Sequence, residues 1–72
     1  MTDAVEFKVA MARAGVSYKD IIEELNISRY ALSQKINNKS DFRQIELSKL
    51  FNLLKLDTWE KRQAVFFAHE VE

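Results

Sequence analysis

Cysteine and proline are absent from this 72-residue sequence, and glycine occurs once. Without cysteine there is no disulfide framework and no thiolate zinc site, which leaves packing alone, or packing against a partner, to hold the chain. Turns of β type have few of their usual residues while good helix formers fill most of the length, which argues against sheet and predicts an all-α fold. No apolar run approaches the roughly 20 residues that a membrane helix needs, and the amino terminus lacks the basic-then-apolar layout of a secretion signal. A cytoplasmic protein with no membrane partner is expected. Surplus positive charge is missing as well: eleven Lys and Arg face eleven Asp and Glu, for a formal net charge of zero. A domain that lives on phosphate contacts is usually basic, so the balance argues against strong solitary DNA binding.

What is present is the composition of a globular domain, with 47% hydrophobic and 31% charged residues. The length suffices for one core and not two, which predicts a single domain over 1–72.

Five helical segments follow along the chain. Over 3–14, Val5, Val9 and Ala12 lie on one stripe and Phe7, Met11 and Ala14 on the next, the spacing of a buried helix face, and Gly15 stands where a left-handed C-cap belongs. Ser17 and Asp20 have capping-box spacing for a second helix over about 18–25, with Ile21, Ile22 and Leu25 inward and Lys19, Asp20, Glu23 and Glu24 outward. Asn26 tolerates a left-handed backbone, which predicts a turn of about three residues, and Ser28 can cap the next helix. In that third helix, over 28–37, Leu32 and Ile36 point inward. Tyr30, Ser33, Gln34 and Asn37 share the opposite face, which bears hydrogen-bonding groups and no acid. Phe42 anchors the polar connection that follows. Leu47, Leu50, Phe51 and Leu54 then form a helical stripe broadened by Ile45 and Leu53. Asp57 and Glu60 make a further capping pair, predicting a last helix from near Thr58, over about 58–70.

Nothing in the spacing of residues shows a nucleophile, base and orienting group, and the chain is small for a catalytic pocket, so no enzyme is expected. His69 is the single histidine and has no second ligand near it in sequence; surface placement, no metal and no cofactor are expected.

Two short helices joined by a tight turn are what is needed to present one helix to a major groove, with the other braced against the backbone. The same pair occurs in bundles that never touch DNA. The string NISRYALSQKINNKSDFRQIELSKLFNLLKL is more specific: with Ile27-Ser28-Arg29, then 32–39, then Phe42, Ile45, Leu47 and Leu50, it resembles the lambda-repressor and Cro-like helix-turn-helix family, most closely small regulators of prophages in Gram-positive bacteria. The resemblance covers about 7–56 and implies a five-helix lambda-repressor-like domain with its helix-turn-helix at about 17–37. It makes Leu25, Ile27 and Leu32 the clasp between the two helices. It puts Arg29, Tyr30, Ser33 and Gln34 at base edges, with Ser28 and Asn37 bounding that helix, and Lys35, Asn38 and Lys39 near phosphates. Arginine pairs with guanine, glutamine with adenine, serine with either, and a tyrosine ring can stack on a thymine methyl. Between residues 27 and 43 there are four basic residues and one acid, a locally positive stretch in a neutral chain. The family pattern is departed from at Ile22, where a small residue is usual, at Asn26, in place of glycine, and at Tyr18, in place of a polar phosphate contact. Glu23 and Glu24 add repulsion for phosphates nearby.

The implied role is a phage-type regulator of the lysogenic or lytic choice, and two mechanisms are open. A homodimer can place helix three in the grooves of double-stranded operator DNA. Alternatively, the fold can serve as an anti-repressor or co-repressor that binds the phage's main repressor protein. The last helix bears on the second mechanism, because Phe66 and Phe67 stand about 100° apart on a helix and a small core can hardly hide both with Trp59 and Val65. Core packing is one reading. A partner surface formed by Tyr30, Trp59, Phe66 and Phe67 is the other.

Overall fold

The computed structural model describes residues 1–68. It contains α1 (Ala4–Ala14), α2 (Tyr18–Leu25), α3 (Arg29–Ile36), α4 (Gln44–Leu53) and α5 (Trp59–Phe66), with no strand among the described residues. His69, and residues 69–70 of the last helix expected over 58–70, lie outside them.

Local chemistry sets most of the helix starts. The Asp3 carboxylate accepts from the backbone N–H of Val5 and Glu6 at 3.0 and 3.1 Å, opening α1. Ser17 and Asp20 form the reciprocal capping box, with Ser17 Oγ accepting from Asp20 N at 3.2 Å and Asp20 Oδ2 from Ser17 N at 2.9 Å. Ser28 Oγ caps α3 through Ala31 N at 3.0 Å. The expected Asp57–Glu60 cap of α5 is replaced by Thr58, whose Oγ1 accepts from Lys61 N at 3.3 Å. Asp57 instead pairs with the Lys61 ammonium at 2.9 Å.

Four helices end alike, at a left-handed residue: Gly15, Asn26, Asn38 and Lys55. At Gly15 the 6→1 bond runs from Val16 N to Met11 O (2.9 Å), and at Lys55 from Leu56 N to Phe51 O (2.8 Å). Each such turn folds the chain back sharply enough for the next helix to rejoin one core.

That core joins Phe7 and Met11 of α1, Ile21 and Leu25 of α2, Leu32 and Ile36 of α3, Leu50 of α4, Leu54 and Leu56 after it, and Val65 and Phe66 of α5. Phe7, Phe42 and Phe66 form a mutual aromatic cluster with centroids 5.5 to 6.1 Å apart, two of its contacts edge-on. In α1 the buried stripe is rotated from the expected one, and in α4 the expected Leu47, Leu50, Phe51 and Leu54 stripe packs on the core but Ile45 does not join it. Phe7, Ala10 and Met11 turn inward in α1, so Val5, about 200° from Phe7 around the helix, is 68% exposed. Glu46 and Leu50 define the inner line of α4, which leaves Ile45 exposed.

An N-terminal strap closes the fold. Asp3 N donates to Val65 O at 2.7 Å and Met1 N to Phe66 O at 3.0 Å, pairing carbonyls in the last turn of α5. Phe67 has left the helix at φ −129°, and Ala68 N turns to Met1 O at 3.3 Å, so the described helix stops earlier than the sequence suggested.

Candidate nucleic-acid interface

The orientation of α3 follows from its two neighbours. Three residues, 26–28, link α2 to α3, and Asn26 (φ 55°) reverses the chain while Ile27 N bonds back to Ile22 O at 3.2 Å. Leu32 and Ile36 are buried with Ile21 and Leu25 of α2, which fixes the other side of α3 outward. Ile27 of the expected clasp is half-buried, and Ile22 is packed against the core without displacing it.

The outward side brings together Arg29, Tyr30, Ser33, Gln34 and Asn37. Tyr30 is 74% exposed, the most exposed large apolar side chain described. Arg29, Ser33 and Asn37 are exposed and Gln34 half-buried. Asn37 Nδ2 donates to Ser33 O at 2.9 Å, which fixes the amide at the end of the row. The Arg29 guanidinium carbon stands 5.9 Å from the centre of the Tyr18 ring. Tyr18 thus acts as a platform for a cation. Beside this row, a cleft of about 290 Å³ runs between α1, α2 and α3, and Lys8 stands in its wall with Tyr18, Arg29, Ser33 and Asn37.

Two residues expected near phosphates are committed elsewhere. Lys35 has a side chain only 13% exposed, and its ammonium donates to Glu46 Oε1 and to Asp41 O, both at 3.0 Å. A phosphate contact would break a nearly buried ion pair, so Lys35 is a structural cation. Asn38 is also withdrawn: Thr2 N donates to its Oδ1 at 2.8 Å and its Nδ2 donates to Thr2 O at 2.9 Å. Its amide therefore mimics a strand neighbour for the strap. Lys39 is exposed on the same loop, and Ser28 serves as a helix cap.

Glu46 is the residue that sequence reasoning missed. It is 2% exposed, and its carboxylate accepts from Arg43 N at 2.8 Å and meets Lys35 at 3.0 Å and the Arg43 guanidinium at 3.5 Å. Burial pushes its pKa upward, but the Arg43 backbone N–H and the Lys35 ammonium outweigh this and hold it below the ordinary value. The spacing from Arg43 to Glu46 is that of a capping box, the one signal that could have revealed it. Lys8 was missed because nothing local marks a residue that meets α3 only through the fold.

The proposed partner aromatics divide. Phe66 is 3% exposed and belongs to the core, packed edge-on against Phe7 and Phe42, so it is removed from any surface. Trp59 is 57% exposed and stacks on the half-buried Phe67 with centroids 5.4 Å apart and planes 20° from parallel.

No group of three His, Cys, Asp or Glu among the described residues could hold a metal ion, and no described helix is long and apolar enough to cross a membrane. Comparison with protein-family models, with curated proteins and with solved structures finds no match for this chain.

Proposed function

We propose that this protein is a phage-type transcriptional regulator of the lambda-repressor-like class, in which α2 and α3 form a helix-turn-helix and α3 enters the major groove of operator DNA. The observation that carries the reading is the outward row of α3. Arg29, Tyr30, Ser33 and Gln34 lie along one side of an eight-residue helix held by a three-residue turn, with Asn37 at its C-terminal end, and that row contains no carboxylate. Such a row offers donors, acceptors and a ring to base edges, and nothing in it repels the phosphates beside them.

The pairing of Lys35 with Glu46 reconciles this reading with the neutral chain. It leaves a modest electrostatic footprint, with Arg29, Lys39, Arg43 and Lys8 as exposed cations around α3. Binding by a single copy is accordingly weak, and a dimer on two half-sites supplies the remainder. A gel shift with the DNA flanking the gene tests the reading: a shift at low salt is expected, with Gln34→Ala costing about 1–3 kcal/mol of preference for that DNA. Absence of any shift at low salt contradicts it.

The Trp59–Phe67 pair supports the second reading, an anti-repressor or co-repressor that docks on the phage's main repressor. A solvent-exposed tryptophan stacked on a second ring is a typical anchor for a protein interface. In that case co-purification with the repressor survives moderate salt and is lost in Trp59→Ala, while Gln34→Ala leaves it intact.

A further inference from the structure

The cleft between α1 and α3 differs in its charge from two other clefts among the described residues. Its lining includes Lys8 and Arg29 and no carboxylate. The cleft between α1 and α5 has Glu6 and Glu60 in its wall, and the one under the strap has Asp41. Both cations are exposed, and no described carboxylate lies within 4.0 Å of either. The cleft thus holds two unneutralised cations in a chain of zero net charge.

Helix geometry separates this cleft from the base-reading row. At about 100° per residue, Ser33 lies some 40° from Arg29 around α3, whereas Tyr30 and Gln34 lie roughly 100° and 140° away. Arg29 and Ser33 therefore flank α3 on the side of α1, and Tyr30 and Gln34 point away from the body. The Tyr18 ring draws the guanidinium to that flank. The cleft volume of about 290 Å³ takes a phosphate group with several waters at about 30 Å³ each.

We infer that Lys8 and Arg29 close on one backbone phosphate of duplex DNA, with the Ser33 hydroxyl supplying a neutral hydrogen bond, so that Arg29 positions the helix and does not read a guanine. The inference rests on the proposed DNA-binding role of α3 and adds to it a residue of α1 and a changed role for Arg29. The guanidinium offers a fork of donors to the two non-bridging oxygens of the phosphodiester, and the ammonium adds a compact charge beside one of them. With Tyr18 in the place where the family has a polar phosphate contact, the clamp supplies the anchor that the ring cannot.

Fluorescence anisotropy of a labelled duplex from the DNA flanking the gene, and of a scrambled duplex of equal composition, tests this across a salt series. Lys8→Gln and Arg29→Gln should each weaken both duplexes by the same factor. The double variant should lose in total about 0.9 from the slope of log affinity against log salt, the share of one phosphate and not of two. Both side chains are exposed, so thermal unfolding followed by circular dichroism should be unchanged in each variant. The clamp is overturned if Lys8→Gln matches wild type, or if Arg29→Gln weakens the flanking duplex alone with an unaltered slope. When either occurs while Gln34→Ala still relaxes the preference, DNA binding by α3 stands and the clamp alone fails. If wild type binds neither duplex, both fail.

Discussion

The Lys35 ammonium lies 3.0 Å from Glu46 Oε1, joining α3 to the start of α4 through side chains that are 13% and 2% exposed. Lys35 also donates to Asp41 O and Glu46 accepts from Arg43 N, so one ion pair fixes the whole connection between the two helices. Removing one partner of such a pair leaves the other charge buried without compensation. Lys35→Ala is therefore expected to lower the unfolding free energy by about 3 kcal/mol in urea titrations, and Lys35→Met with Glu46→Leu by clearly less than the sum of the single changes.

Acid should act through the same carboxyl. The Glu46 pKa is depressed in the folded state from an ordinary 4.5: burial alone raises it, and its hydrogen bonds and cations more than reverse that. A depressed carboxyl contributes stability that is complete above the unfolded value and is lost as pH falls through the folded one. Urea midpoints should thus change little from about pH 7 to pH 5 and drop below about pH 4.5, with a shallower drop in Glu46→Gln. The part that survives in the variant belongs to other groups of the same sign, Asp20, held down by the Ser17 backbone N–H and hydroxyl, and Asp57, held down by Lys61.

The left-handed turns give two substitutions of opposite sign. Lys55 occupies φ 57° with a Cβ that this region disfavours, so Lys55→Gly should raise stability by about 0.5–1 kcal/mol. At Gly15, φ 69°, an added Cβ meets no atom within 4 Å, and the backbone alone sets the cost: Gly15→Ala should lower stability by about 1 kcal/mol. Thermal or chemical unfolding of the two variants beside wild type checks both signs.

Phe66 and Trp59, seven residues apart, should behave as opposites in the same measurement. Phe66→Ala removes a ring packed against Phe7, Phe42 and Phe51 and should cost about 3–5 kcal/mol. Trp59→Ala removes an exposed ring in contact with Phe67 and should cost about 1 kcal/mol or less.

What could be read from the sequence was what is decided locally. Ser17 with Asp20, Gly15, Asn26 and Ser28 each announce a helix start or stop by the chemistry of one or two residues, and the structure uses all of them as expected. The phase of a buried stripe is set by neighbours far along the chain. Val5 and Ile45 fit an apolar period and still face solvent, because Phe7 and Glu46 take the inner positions. Lys55 carries no left-handed signature; Leu56, 5% exposed, draws the turn inward. Lys35, Asn38 and Phe66 looked available for binding because their partners Glu46, Thr2 and Phe7 come from other elements. The exposed row of α3 was legible, since Leu32 and Ile36 alone fix which side is left outside.

Whether this row meets duplex DNA is read from amide chemical-shift mapping of the labelled chain during titration with the DNA flanking its gene. Salt-sensitive shifts are expected at Arg29, Tyr30, Ser33, Gln34 and Asn37, with Lys8 of α1 and Lys39 following and Val65 and Phe66 unmoved. Shifts confined to α5 around Trp59 and Phe67, or none at low salt, would contradict that contact.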